Sequence, residues 1–180
     1  DQLGLAPDAI TVNTELDTQK DAWSIASGNY SSRFAAAVGS ATHLAAKRVR
    51  EKLARIASAS LNRPAEDLVF AGGKICDPDN PENAMPLYRA AAVAHWSPGS
   101  LPEGMEPGVR ERAAWSAEEL QTSNDAGEIN CELAYGFIFD YCGVEIDPVT
   151  YDIRVDRYVT AHDCGTILNP AILEGQFGGS

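Results

Sequence analysis

The stretch from residue 158 to residue 176 reads as a strand, a turn carrying Gly165, and a helix opened by Asn169-Pro170. Each residue type has a physical reason to be there. The side-chain oxygen of Asn169 can accept a hydrogen bond from a free amide of the first helical turn. Pro170 suits the first helical position, where no amide hydrogen is needed. Together they commit this part of the chain to a strand–turn–helix joint, a unit that many unrelated folds contain. The helix so begun reaches only Gly178-Gly179-Ser180, and a well-formed start with little helix behind it leads us to expect a piece of a larger polypeptide.

Upstream, Ala36, Ala37, Ser40, Ala41, Leu44, Ala45, Val49, Leu53 and Ile56 recur near the 3.6-residue period, with Lys47, Arg48, Arg50, Glu51, Lys52 and Arg55 mostly opposite. This predicts a long amphipathic helix from about Ser32 to about Ser58. Its first half is rich in small residues and is expected to be the buried half. Before it, residues 9–14 form a short β-prone run and residues 16–31 a polar, glycine-bearing loop. After it, residues 62–67 read as a turn. Leu68-Val69-Phe70 and Lys74-Ile75-Cys76 then flank Ala71-Gly72-Gly73 as a small hairpin. Residues 86–96 read as a second helix, and residues 97–108, with Pro98, Pro102 and Pro107, as an irregular crossing. Residues 110–116 are expected to be extended and residues 122–127 a polar loop.

The run 129–146 is aromatic and β-branched, and reads as a long strand. A turn at Asp147-Pro148-Val149-Thr150 leads into a second strand over 151–161, giving an antiparallel hairpin. The alternation of Ile153, Val155, Arg157 and Val159 against Arg154, Asp156, Tyr158 and Thr160 predicts one buried face. The fold class that follows is α+β, a mixed or antiparallel sheet packed with one long amphipathic helix and shorter helices.

Composition narrows the function. A chain of 180 residues can form one domain or two small lobes around a real core. A net charge of −12 repels phosphate backbones and anionic lipid, which argues against nucleic-acid and membrane-surface roles. No apolar run approaches the roughly 20 residues that cross a bilayer, and the first residues lack the pattern of a signal peptide. Cys76, Cys131, Cys142 and Cys164 lie too far apart for a zinc clip or an iron–sulfur loop. Buried free thiols in a cytoplasmic protein are expected, with two disulfides as the alternative. His43 and His95 have no metal-ligand spacing, and Glu118-Glu119 reads as solvated surface. His162-Asp163-Cys164 offers imidazole, carboxylate and thiol, yet consecutive strand residues point to opposite faces and cannot converge. Asp163 is expected to bind turn amides and Cys164 to be buried.

Asp163-Cys164-Gly165, Asn169-Pro170 and Glu174-Gly175-Gln176 together resemble a segment in the large subunit of molybdenum hydroxylases, the xanthine dehydrogenase, aldehyde oxidase and aerobic carbon monoxide dehydrogenase family. A second match lies upstream, in Asp17-Thr18, then Gly28-Asn29-Tyr30-Ser31-Ser32-Arg33-Phe34 and Gly39. Weaker matches fall at residues 101–108 and 144–148, so the resemblance covers nearly the whole chain. Leu16, Phe34 and Thr166 depart from the family pattern, which usually has glycine, serine and arginine there.

The resemblance implies that residues 1–180 are part of a molybdopterin-binding domain of a larger subunit. It places Ser31, Ser32, Arg33 and Phe34 in a loop that touches a molybdenum-pyranopterin dinucleotide, and Gln176 beside the cofactor near the metal. Serine hydroxyls and free amides at a helix start suit an anionic ligand, though Ser31 or Ser32 as a simple cap is the plainer role. An amide such as Gln176 both donates and accepts; its plainer role is an exposed helix residue.

The implied parent reaction is oxidative hydroxylation of an aldehyde or an N-heterocycle with water, electrons passing to iron–sulfur clusters and FAD. The implied partners are the rest of the molybdenum subunit and the iron–sulfur and flavin subunits or domains. The family's base glutamate lies in a Gly-Glu-Pro-like segment that this sequence lacks. No catalytic residue and no metal ligand is therefore assigned, and the chain alone is expected to be inactive and to self-associate through uncovered apolar surface. The competing reading is a non-catalytic, stand-alone interaction or assembly module of the same fold.

Overall fold

A computed structural model describes residues 1–15, 17, 19, 34–133 and 135–179. The chain forms two compact units, Asp1–Ser116 and Ala117–Ser180.

In the first unit, a π-helical turn at Ala35–Gly39 runs into helix α1, Ser40–Leu61. The Thr42 hydroxyl donates back to the Val38 carbonyl at 2.7 Å, a side-chain bond that competes with the regular helical ladder at this point. The helix passes Ser58 and stops where Asn62 adopts a left-handed conformation at φ 51° and donates its amide to the Ser58 carbonyl. Asparagine tolerates that geometry better than most residues. The buried residues of α1 are Leu53, Ala54, Ile56, Ala57 and Leu61, all in its second half. This reverses the expected burial of the small-residue half. A helix of 22 residues is about 33 Å long, whereas the strands it packs on have at most seven residues, roughly 23 Å.

Those strands are β1 (Val69–Ala71), β2 (Lys74–Asp77) and β3 (Asn80–Pro86), antiparallel in the order β1-β2-β3. Ala71 pairs with Lys74, which leaves Gly72-Gly73 as a two-residue loop with φ of 55° and 74°. Both positions are left-handed, as the tight hairpin turn requires. Strand β3 has no counterpart in the sequence reading, because Asn80, Pro81, Asn83 and Pro86 all disfavour a strand. It forms at the sheet edge, where proline is tolerated. Pro86 then opens helix α2, Leu87–Trp96, which buries Ala90 and Ala94.

Phe70, Ile75 and Met85 are cross-strand neighbours in one row and belong to the same core as Leu53, Ile56 and Leu68. Arg50 of α1 lies 4.2 Å from the Phe70 ring centre and donates to the carbonyls of Gln2 at 2.8 Å and Leu68 at 3.2 Å. Residues 1–4, not residues 9–14, pack against β1. Gly4 sits on the backbone of Phe70, and Ile10 and Val12 are exposed outside any strand. Arg63 faces Asp79 at 2.5 Å, Asp67 at 3.4 Å and Asp77 at 3.9 Å, tying the end of α1 to the β2–β3 turn. The Asp79 carboxylate, with Asp77 and Asp67, holds the guanidinium above its ordinary value.

The second unit is the antiparallel pair β4 (Phe137–Ile146) and β5 (Ile153–Asp163), followed by α3 (Pro170–Gly178). The strand begins at Phe137 and not near residue 129, because Phe137 pairs with Asp163, the last residue of β5. Before it, a bridge joins Gln121 to Asn130. Strand β5 starts at Ile153 because Tyr151, at φ 62°, cannot join the ladder. A bulge opposite Gly143/Val144 leaves Asp156 of β5 without a partner, so Val155 and Ile153 pair with Val144 and Ile146 on the face opposite Phe137, Phe139, Tyr141 and Val159. The predicted alternation along β5 is interrupted at Asp156, and neither face of the hairpin is buried. Phe137, Phe139, Tyr141, Val144, Ile146, Ile153, Val155 and Val159 are 50–72% exposed. One hairpin and one short helix do not make a second layer over either side.

The β4–β5 turn is closed by Asp147, whose carboxylate accepts from the amides of Val149 at 2.7 Å and Thr150 at 3.0 Å. The Thr150 and Val149 amides hold this carboxyl below its ordinary range. A depressed folded-state value means the contribution is complete above the unfolded-state value, about pH 4. It is lost as the pH falls through the lower folded-state value. Acidification below about pH 4 is expected to move the amide chemical shifts of Val149 and Thr150, and Asp147→Asn is expected to remove that titration. Wild-type shifts that stay constant through this range would contradict it.

Candidate functional site

Helix α3 starts as its residues dictate. Asn169 is extended at φ −143° and its side-chain oxygen accepts from the Ile172 amide at 3.1 Å, with Pro170 in the first turn. The preceding turn is set by Asp163, whose carboxylate accepts from the Gly165 amide at 2.9 Å, with Gly165 left-handed at φ 66°. Asp163 thus has the turn-binding role expected of it. Cys164 does not have the buried one: it is exposed, as are Cys131 and Cys142, while Cys76 is half-buried, and all four are free thiols. The second unit has no buried residue in either strand or in α3, so it offers no interior for a thiol.

Gln176 lies in the last turn of α3 and is exposed. The adjacent Phe177 is half-buried, and its ring stacks on His162 of β5 with centres 3.3 Å apart and planes 18° apart. That contact was not legible in His162 alone. Its signal is the pair Leu173 and Phe177, four residues apart and so on one side of a helix, which are the half-buried residues among 171–179. The histidine, carboxylate and thiol at 162–164 do not converge: His162 meets Phe177, Asp163 meets the turn and Cys164 faces solvent.

His162 shares one face of the hairpin with Ile138, Asp140, Cys142, Tyr158 and Thr160, which the strand register places side by side. The Asp140 carboxylate pushes the Tyr158 hydroxyl above its ordinary value, with some help from desolvation. Tyr158 therefore stays a protonated donor through the neutral range.

In the first unit, Phe34 is the residue just before the π-helical turn and is exposed. Ser31, Ser32 and Arg33 lie outside the described residues. Asp17 is described, and its carboxylate accepts from the Gln19 amide at 3.0 Å. His43 and His95 are exposed, as are Glu118 and Glu119. Among the described residues no group of three His, Cys, Asp or Glu side chains is placed to hold a metal ion. No helix among them is long and apolar enough to cross a membrane.

All of residues 1–180 match the family described as molybdopterin cofactor-binding domain. The chain belongs to that family. It is 31% identical over 179 residues to the nicotine 6-hydroxylase large subunit of Paenarthrobacter nicotinovorans, covering 99% of this chain and 20% of that protein. It is 28% identical over 178 residues to the carbon monoxide dehydrogenase large chain of Hydrogenophaga pseudoflava, with the same coverage of 99% and 20%. Among solved structures, the Cu,Mo-CO dehydrogenase in its carbon monoxide reduced state superposes with a TM-score of 0.73 and 27% identity, over 99% of this chain and 20% of that one. The chain thus spans about a fifth of the length of the relatives it matches.

Proposed function

We propose that this chain is a cofactor-contacting part of the molybdenum subunit of a hydroxylase. That enzyme would oxidise an aldehyde or an N-heterocycle with water and pass electrons to iron–sulfur clusters and FAD in the cytoplasm. The observation that carries the reading is the family match over all 180 residues, with its two motif regions in order. The donor set fits an organic cofactor. Gln176 presents an exposed amide that both donates and accepts, and Phe34 presents an exposed ring at a helix start. Neither is a metal ligand, so these residues would meet the group through hydrogen bonds and packing. Ser31, Ser32 and Arg33 would add hydroxyl donors and positive charge for its anionic part.

When bound, the molybdenum cofactor supplies the two-electron redox chemistry. Within the second unit, Gln176 would hydrogen-bond the cofactor's edge, and within the first unit Phe34 would offer its ring for packing on the cofactor. The catalytic base lies in another part of the polypeptide, and the 180 residues alone are inactive. The rest of the molybdenum subunit, together with iron–sulfur and flavin components, completes the enzyme. The exposed apolar residues of the hairpin drive self-association when the chain is alone.

The polypeptide carrying this chain, purified from its host, is expected to contain molybdenum and to release one pterin dinucleotide per chain on denaturation. The isolated 180 residues are expected to show no turnover with aldehydes or N-heterocycles. Absence of both molybdenum and pterin would overturn the reading in favour of a non-catalytic interaction module. Turnover by the isolated chain would place the base within it.

A further inference from the structure

We infer that the stacked pair His162–Phe177 is a positioning latch, holding α3 on β5 so that Gln176 is presented to the cofactor. The inference rests on the reading of Gln176 given above. Helix α3 has nine residues, with Gly175 and Gly178 inside its second half. A helix of that length does not persist in water without tertiary contacts, and each internal glycine weakens it further. Asn169 and Pro170 secure only the N-terminal end. At the other end, the amide of Gly179 closes on the Gly175 carbonyl at 3.1 Å, and both flanking residues are glycines. Among residues 174–179, Phe177 is the half-buried side chain.

Its ring lies nearly parallel to His162, at 3.3 Å between centres and 18° between planes, so the contact fixes both the distance and the roll of the last helical turn. Gln176 immediately precedes Phe177, and successive helical residues are about 100° apart around the axis. Fixing the roll at Phe177 therefore fixes the direction in which the Gln176 side chain leaves the helix. His162 is in turn held by ladder pairing with Ile138. The chain of constraint runs from β4 through β5 and the two rings to Gln176.

The test uses the full polypeptide carrying this chain, with wild type, Gln176→Ala, Phe177→Ala, His162→Ala and His162→Phe. Hydrogen exchange of amides 172–178 reads the latch, and pterin retained after gel filtration reads the positioning. Phe177→Ala and His162→Ala are expected to speed exchange about two- to tenfold, the range of an aromatic pair. Both should also lower retained pterin toward the Gln176→Ala level. His162→Phe, which keeps a ring to stack on, is expected to restore both readouts. Unchanged exchange in Phe177→Ala overturns the latch. Faster exchange with full pterin retention, when Gln176→Ala loses pterin, overturns the positioning role. If Gln176→Ala itself keeps its pterin, the role assigned to Gln176 fails and the positioning fails with it, while exchange still judges the latch separately.

Discussion

Ile75→Ala is expected to destabilise the first unit by about 2–5 kcal/mol, the range for removing a large aliphatic side chain from a closed core. Ile75 is 0% exposed at the centre of β2, the middle strand of its sheet. Its cross-strand neighbours are Phe70 on one side and Met85 on the other, and all three belong to the core cluster with Leu53 and Ile56 of α1. Truncation would open a void that neither strand can close without breaking its register. Equilibrium urea unfolding, followed by far-ultraviolet circular dichroism, reads the loss. Ile75→Val removes one methylene and is expected to cost about 0.5–1.5 kcal/mol. Ile153→Ala provides the contrast, because Ile153 is 69% exposed on β5 and its substitution should stay within about 0.5 kcal/mol. Equal losses at Ile75 and Ile153 would contradict the location of the core.

Much of this architecture is legible where one residue type has one physical job. The glycines in Ala71-Gly72-Gly73 mark a hairpin, whose loop proves to be Gly72-Gly73 with Ala71 in the strand, and Asn169-Pro170 suits a helix start. What is not legible depends on partners distant in sequence. Strand β3, reading NPENAMP, contradicts every local preference and forms because β2 needs an antiparallel neighbour. The start of β4 is set by where β5 runs out at Asp163, which no property of residues 129–136 encodes. The periodicity of α1 gives its apolar side but not which half is covered, since that is decided by the length of the sheet. For the proposed site, Gln176 comes from the resemblance of Asp163-Cys164-Gly165, Asn169-Pro170 and Glu174-Gly175-Gln176 to the family's segment. Its support by His162 needed coordinates, because an exposed histidine on a strand carries no local sign of a ring beneath it.

Gly4→Ala is expected to cost about 2–5 kcal/mol, for two reasons that add. Gly4 has φ +59°, a left-handed conformation that costs an L residue about 1–2 kcal/mol. The added Cβ would also lie 2.3 Å from the Phe70 carbonyl oxygen, 2.4 Å from its carbon and 2.7 Å from the Ala71 nitrogen. These are backbone atoms of β1, held in register by β2, and they cannot rotate away as a side chain would. The N-terminal segment must therefore lift. Lifting it breaks the Gly73 amide bond to the Gly4 carbonyl at 3.3 Å and takes the Gln2 carbonyl from Arg50. Arg50 would then keep Phe70 and the Leu68 carbonyl but lose the contact that joins residues 1–4 to α1. Gly72→Ala separates the two causes, because Gly72 has φ +55° and nothing within 4 Å of an added Cβ. It should cost only the conformational part, about 1–2 kcal/mol. Urea midpoints give both losses, and limited proteolysis near residues 5–10 should accelerate in Gly4→Ala alone. Equal losses for the two variants would show that residues 1–4 do not close on β1 as tightly as the Gly4–Phe70 approach requires.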